Sequence, residues 1–280
     1  MSFANRILGK ANGLAGVILV SLVLGVAVLG NVYTPHDPLK SDLLNRFAGS
    51  SLSHPLGTDM FGRDILSRLM RGAWVSVSIG LSTLLIPVVL GTLLGAAAGY
   101  FRGWFDRVLI VVLDALMAFP GLLIALGLMA IIGPNRYGVI LALSVAYLPT
   151  VTRVVRGSVL SVSQSEFVEA STTMGNSRFY TLLVHVLPNC IAPLIVLTTM
   201  MFGWVLLAES ALSFLGLGVP PPEPSWGNIL AEAKAHLMRY PMLGLLPGLC
   251  ISVALLGVNF LGDALRDELD PKSTTSKEVI

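Results

Sequence analysis

Long apolar stretches alternate with shorter polar ones along the whole chain. Six of them, at about 13–33, 75–99, 108–132, 137–156, 188–210 and 242–262, have the length to cross a bilayer. A hydrocarbon core of about 30 Å takes about 20 helical residues to cross. The fourth stretch is the most interrupted, with Pro149 inside it and Arg153 and Arg156 near its end. Two connections are short (100–107 and 133–136), and three (34–74, 157–187 and 211–241) are long enough to hold structure of their own. The first stretch follows Arg6 and Lys10 and ends at Asn31-Val32-Tyr33-Thr34-Pro35. It exceeds the roughly 7–15 apolar residues of a secretory signal and has no small-residue cleavage motif, so it reads as a retained span. The expectation is an all-α membrane protein with six transmembrane helices. Its parts are an N-terminus 1–12, a first helix 13–33, a loop 34–74, a five-helix core 75–263 that includes loops 157–187 and 211–241, and a tail 264–280.

Polar and small residues inside the spans refine this picture. Gly91, Gly95 and Gly99 recur every four residues on one face of the second span, a pattern that lets helix backbones approach closely in lipid. Either a helix of the same chain or a second subunit fits against it. Pro87, Pro120, Pro149, Pro193 and Pro247 each remove a backbone hydrogen bond and invite a kink. Asp114 is the ionisable group deepest in a span. It is a functional candidate by that fact, or else a structural one, bonded to a neighbouring helix or paired with a base near the membrane edge. Glu209 falls at the end of the fifth span, where the membrane imposes little cost on a charge.

Composition supports lipid as the solvent. The chain has 280 residues, 54% of them hydrophobic and 12% charged, against about 25% charged in soluble domains. Mean hydropathy is +0.80. The net charge of +2 excludes nucleic-acid binding by a basic field. Cys190 and Cys250 lie inside spans, far apart and without metal-site spacing, and read as buried thiols. His36, His54, His185 and His236 are scattered, which argues against a built metal site. No G-x-x-x-x-G-K-[ST], H-E-x-x-H or G-x-S-x-G motif occurs, so neither a phosphate loop nor a familiar hydrolytic centre is present.

The chemistry concentrates in the polar connections. Gln164 to Met174 can form a short helix with Phe167, Ala170 and Met174 on one side. Gly175 is a natural left-handed stop, and Asn176 or Ser177 can cap a following helix towards Leu187. Such a corner is either a solvated loop or a rigid knob for a partner's groove. Leu56-Gly57-Thr58-Asp59-Met60-Phe61-Gly62-Arg63-Asp64 precedes the second span. Thr58 and Asp59 are plausible helix caps, and Asp64 and Arg68 are spaced to pair. Ile65, Leu66, Leu69 and Met70 share a side, which predicts an amphipathic helix on the membrane surface. Its role is structural, or else gating or ligand binding. Glu209 to Gly218 runs into Pro220-Pro221-Pro222-Glu223-Pro224-Ser225-Trp226-Gly227. The clustered prolines suit either docking of an external protein with Trp226 as an anchor or bracing of the fifth span against the sixth.

Four segments together resemble the permease subunits of binding-protein-dependent ABC importers, in the dipeptide, oligopeptide and nickel branch. Glu169, Ala170, Gly175, Leu187 and Pro188 match the EAA loop of that family in identity and register, with Ser171 in place of the second Ala and His185 where Ile is usual. The stretch from Leu56 to Asp64 is similar to LGTD-x-x-GRD, and that from Ser213 to Gly227 to SFLGLG followed by PP-x-P-x-W-G. Asn259 to Lys272 is similar to the closing N-x-x-GD-x-LRD-x-LDP. The resemblance implies a type I ABC importer permease architecture in a bacterial inner membrane, with a cytoplasmic coupling helix where Glu169 meets an ATPase and Gly175 shapes the turn. Lys and Arg divide ten to eight between the two sides and do not orient the chain. The resemblance puts 157–187 and both termini in the cytoplasm, and 34–74 and 211–241 in the periplasm. It further implies a heterodimer with a homologous permease, two ABC ATPases that hold ATP and Mg, and a periplasmic or lipoprotein substrate-binding protein. The chain itself is expected to bind no cofactor or metal and to catalyse no reaction. Peptides are the first expected cargo and nickel chelates the second. A secondary carrier working without partners is the rival, but it leaves the EAA loop unexplained.

Overall fold

The computed structural model describes residues 3–269. Of the expected tail 264–280, residues 264–269 end the last helix, and Asp270, Pro271, Lys272 and those after them, Lys277 included, lie outside the described residues. Every regular element among the described residues is helical. In order they are α1 (Phe3–Leu8), α2 (Ala11–Val32), α3 (Ile65–Phe101), α4 (Gly103–Met117), α5 (Gly121–Ile132), α6 (Arg136–Val162), α7 (Glu166–Thr173), α8 (Arg178–Phe214), α9 (Trp226–Ala233) and α10 (Met242–Leu269). Five of them (α2, α3, α6, α8 and α10) are each long and apolar enough to cross a bilayer alone, and α4 with α5 forms a sixth candidate as a bent pair.

The bend follows from the local sequence. Phe119 precedes Pro120, which disfavours helical backbone at Phe119, and Pro120 cannot donate into the preceding turn. The stretch 108–132, expected as one span, therefore comes out as two helices at 86°. Pro87, Pro149 and Pro247 lie within unbroken α3, α6 and α10. Pro188 is accommodated differently. A π segment, Thr181–Val186, widens α8 just before a 3-10 turn, Leu187–Cys190, so the missing amide is absorbed without a break. The fifth span, expected to begin at 188, thus continues without interruption from the helix after Gly175.

α3 and α8 have 37 residues each, about 55 Å of helix at ~1.5 Å per residue, well beyond a ~30 Å hydrocarbon core. α3 extends at the face that carries residues 33–64 and 215–241 (the first face). α8 extends at the opposite face, beside α7 (the second face). The separate surface helix expected before the second span is therefore absent. Its residues are the opening turns of α3, because Ile65 and Leu69 are buried against α9 and α10 in a cluster with Trp226, Ile229 and Leu243.

Close backbone approach holds the bundle together. A Cβ on Gly91, Gly95 or Gly99 would come within 2.9, 2.5 or 2.9 Å of Val151, the Thr152 carbonyl or the Arg156 carbonyl. The glycine stripe is thus spent on α6 of the same chain. α2 is seated in the same way, with Gly16 against the Leu261 backbone at 2.5 Å and Gly257 against Leu19 at 2.9 Å. One core joins α3, α5, α6 and α8 around Val75, Met129, Leu143 and Val205; the other joins α2, α3, α8, α9 and α10. Cys190 and Cys250 are both free thiols, the first buried and the second half-buried.

Candidate functional site

Two sites emerge, one at each face. At the second face, Val168 and Ser171 turn inward from α7, and Ser171 Oγ lies 3.0 Å from Thr181 Oγ1. The Asn176 side-chain amide donates to Ser171 Oγ at 3.1 Å, which ties the two arms of the corner together. The Gly175 amide donates to the Thr172 carbonyl and the Asn176 amide to the Ser171 carbonyl, the paired bonds of a Schellman stop. Gly175 has φ +85° and nothing within 4 Å of where a Cβ would stand. Its backbone angle selects glycine there, and crowding does not. Ser177 then caps α8 by accepting from the Tyr180 amide at 3.2 Å. The expected helix 164–174 is observed as Glu166–Thr173, and of the two expected caps it is Ser177 that serves.

What this corner exposes is apolar and acidic. Met174 is 82% exposed and Phe179 67%, with Phe167 also open. Glu169, Ala170, Gly175 and Pro188 are exposed and Leu187 is half-buried. Glu169 borders an open cleft of about 350 Å³ between α7 and the α3–α4 junction, lined also by Tyr100, Arg102 and Gln164.

At the first face, the segment 57–64 is a compact knot. Gly57 (φ +78°) and Gly62 (φ +74°) take left-handed backbone, and a Cβ on Gly62 would run into the Asp42 carbonyl. Thr58 Oγ1 donates to the Asn45 carbonyl and accepts from the Ala48 amide. Asp59 accepts from the amides of Phe61 and Arg63 and from Arg63 Nε at 2.7 Å. Asp64, rather than Thr58 or Asp59, caps α3, accepting from the Ser67 amide at 2.8 Å. Burial raises the pKa of the Asp64 carboxyl, but hydrogen bonds from Ser67 and His54 outweigh it and hold the group below its ordinary value.

The expected Asp64–Arg68 pair does not form, because Arg68 points the other way. Arg68 is 2% exposed and bonds Glu232 of α9 at 2.8 Å, sharing that carboxylate with Arg63 at 2.6 Å. Glu232 was not legible in the sequence as a partner, because local spacing offered Asp64 to Arg68. His36 and His54, expected to be scattered, have ring centroids 4.5 Å apart.

Trp226 is not an exposed docking anchor. It is 3% exposed and its indole N–H donates to the Leu69 carbonyl at 3.0 Å, because a large apolar ring with one donor is best satisfied against a helix backbone. Gly227 lets α9 press on α8, since a Cβ there would stand 2.7 Å from Ser210 Cα. Of the two roles open to this loop, bracing is what the contacts support, with α3 as the braced partner. Glu209 is likewise not near water: it is fully buried, accepting from Ser213 Oγ at 2.9 Å and more weakly from Ser76 Oγ at 3.4 Å. Ser76 Oγ in turn accepts from the Trp226 amide at 3.1 Å, so a buried carboxylate, two hydroxyls and the start of α9 form one polar hub.

Asp114 pairs with Arg153 of α6, and both side chains are about half exposed, 56% and 51%. Arg156 and Asp106 form a second α6–α4 pair nearer the second face. These pairs tie the bent hairpin to α6 by charge.

Comparison with known proteins places the chain. The family described as binding-protein-dependent transport system inner membrane component matches residues 91–275. A Brucella suis biovar 1 (strain 1330) protein, provisionally named a peptide transport system permease, is 41% identical over 269 residues, which cover 96% of this chain and 90% of that one. A dipeptide transport system permease protein, DppC, of Alkalihalophilus pseudofirmus is 37% identical, covering 94% and 87%. In solved structures, a chain of the MetNI methionine ABC transporter superposes with TM-score 0.60 at 17% identity, covering 72% of this chain and 96% of that one.

Proposed function

The chain belongs to the family of binding-protein-dependent transport system inner membrane components, and from that premise we propose that it forms half of the pathway by which short peptides are imported at the expense of ATP. It is a multi-pass inner-membrane permease component and not itself the ATPase. Such a system works with an ATPase and a substrate-binding protein. The finer reading has the chain pair with a homologous permease, with two ATPase subunits on the second face and the binding protein on the first. The second face, with both termini, is then cytoplasmic.

The observation that carries this reading is the α7–Gly175–α8 corner. It is internally hydrogen-bonded, exposes Phe167, Met174 and Phe179 beside Glu169, and continues without a break into a helix that reaches the first face. A rigid knob with an apolar tip and acidic flank suits a groove on a moving partner. When ATP draws the ATPases together, the corners move with them and the pathway opens to the first face. Hydrolysis lets it return. This is a shift between two states that nucleotide and loaded binding protein bind unequally. Peptides are supported as cargo by the names of the relatives, which refer to peptide and dipeptide transport.

The test is purification of the chain from native membranes with whatever it retains, followed by reconstitution into proteoliposomes with labelled dipeptide. Recovery of a second permease and ATPase subunits, with uptake that stops without ATP, is the expected result. Glu169→Lys and Gly175→Asp should leave the chain inserted but release the ATPase. Uptake by the chain alone, without ATP, would overturn the reading in favour of a secondary carrier.

A further inference from the structure

At the first face, one ligand atom from each of His36, His54 and Asp64 lies within 4.8 Å of the other two. The three residues come from separate turns of chain brought together by the fold. His36 follows the end of α2, His54 sits in the loop before the 57–64 knot, and Asp64 caps α3. We propose that His36, His54 and Asp64 form a binding site for a divalent transition-metal cation of the Zn2+ kind, which clips the chain after α2 to the start of α3.

The donor set selects the class of ion. Two imidazoles and a carboxylate suit Zn2+ and its neighbours, whereas Ca2+ and Mg2+ take oxygen ligands. Two ligands on one such ion, with bonds of about 2.1 Å, stand at most about 4.2 Å apart. A group already within 4.8 Å therefore closes on a cation by a side-chain movement of well under 1 Å at each residue. His54 Nδ1 and Asp64 Oδ1 are 2.9 Å apart and share a proton; two bonds of ~2.0 Å to one ion meet at about 90° at that separation. The cation takes the place of that proton, and His54 binds as the neutral ring with its proton on Nε2.

The surroundings hold the ligands in place. Asp64 Oδ2 accepts from the Ser67 hydroxyl at 2.6 Å, and the His36 backbone amide donates to the same hydroxyl oxygen at 3.0 Å. One serine therefore fixes both a ligand carboxylate and the backbone of a ligand histidine. His36 Nε2 donates to the Ser53 carbonyl at 2.7 Å, which orients the ring and leaves its other nitrogen with a lone pair. Outer hydrogen bonds of this kind set the tautomer and orientation of metal-binding imidazoles. The Asp64 carboxylate is closed off from solvent and His54 is about one quarter exposed, so the ion would be held at the edge of a cavity that Asp37 and Asp42 also line. Water is available from that cavity to complete four-coordination.

The experiment uses the full chain purified in detergent, stripped with a chelator and titrated with Zn2+ alone. It needs neither ATP nor peptide, so its outcome is separate from that of the transport reading. The expected result is one equivalent of Zn2+ per chain, with His36→Ala weakening it by at least about tenfold and His236→Ala leaving it unchanged. X-ray absorption at the zinc edge should show nitrogen and oxygen ligands with imidazole scattering. A wild-type chain that takes up no stoichiometric Zn2+ would overturn the proposal. So would equal affinity in His36→Ala, equal loss in His236→Ala, or a sulfur shell, which would move the ion to Cys190 or Cys250.

Discussion

Gly175 offers the sharpest test of how the corner works, because conformation and crowding separate there. With φ +85° and nothing within 4 Å of where a Cβ would stand, a side chain meets no neighbour and costs only the left-handed backbone. That cost is about 1–2 kcal/mol for an ordinary residue and less for Asn. The corner sits at an exposed tip, so the substituted chain relaxes locally to another turn and the helical bundle is not strained. Docking of an ATPase that needs the native corner must then supply the difference. At an RT of about 0.59 kcal/mol, 1–2 kcal/mol lowers affinity by roughly 5–30-fold. The expected series is Gly tightest, then Asn, then Ala, with Val weakest because β-branching worsens the same backbone angle. The assay is titration of the purified ATPase onto reconstituted permease variants, alongside thermal unfolding of each permease by itself. Thermal midpoints should agree within a degree or two across the series. Equal ATPase affinity for Gly, Ala and Val would refute the argument. A large fall in the midpoint of Ala alone would do so too, since it would show that Gly175 is needed for packing.

Four further outcomes follow from contacts elsewhere. Gly95→Leu should abolish a monodisperse folded chain on size-exclusion chromatography, because even its Cβ meets the Thr152 carbonyl at 2.5 Å, whereas Gly25→Ala, with nothing within 4 Å, should behave as wild type. Trp226→Phe should cost about 1 kcal/mol of stability, the hydrogen bond to Leu69 alone, and Trp226→Ala about 3–5 kcal/mol. Both should retain binding-protein affinity per folded molecule, and selective loss of that affinity in Trp226→Phe would restore a docking role. Glu232→Ala strands Arg68 and Arg63 without their shared carboxylate and should destabilise by about 3–5 kcal/mol; denaturation in detergent reads it, and a neutral result would show that Asp59 suffices. Asp114→Asn should leave the fold intact, since the amide oxygen that replaces the carboxylate can still accept from Arg153; loss of folded chain in the same unfolding assay would refute that.

The spans were legible because lipid makes helix length a matter of counting apolar residues. The corner was legible because Gly175 and Ser177 act through neighbours close in sequence. What the sequence concealed was long-range. Nothing local distinguishes a Trp226 that faces a partner from one that donates to Leu69, 157 residues away. The Arg68–Glu232 pair spans 164 residues, and local spacing favoured Asp64 instead. The π segment hid for a different reason: Pro188 marks a fault in the hydrogen-bond ladder, but whether a helix bends or widens there depends on what packs around it. At Pro120 the chain bends by 86°; at Pro188 Val186 and Cys190 are buried on the core side, and the helix stays straight enough to keep them there.

That difference sets which elements can carry motion between the faces. α8 is one continuous helix from the Ser177 cap to Phe214, and its far end holds Glu209, Ser210 and Ser213 against Ser76 and Gly227. A displacement of the corner is therefore a displacement of the hub unless α8 yields. The π segment, Thr181–Val186, and the 3-10 turn after it, Leu187–Cys190, are where its α-helical ladder is interrupted. α3 meets the same hub through Ser76 and Leu69, and its glycine stripe locks it to α6. α3, α6, α8 and α9 are thus packed and hydrogen-bonded as one group. α5 belongs to the same group through Ala125 and Met129 in the shared core, whereas α4, beyond the sharp bend, is tied to α6 by the Asp106–Arg156 and Asp114–Arg153 pairs. Motion between two states of the permease is accordingly expected as a shift of this packed group, with α4 as the element that accommodates it.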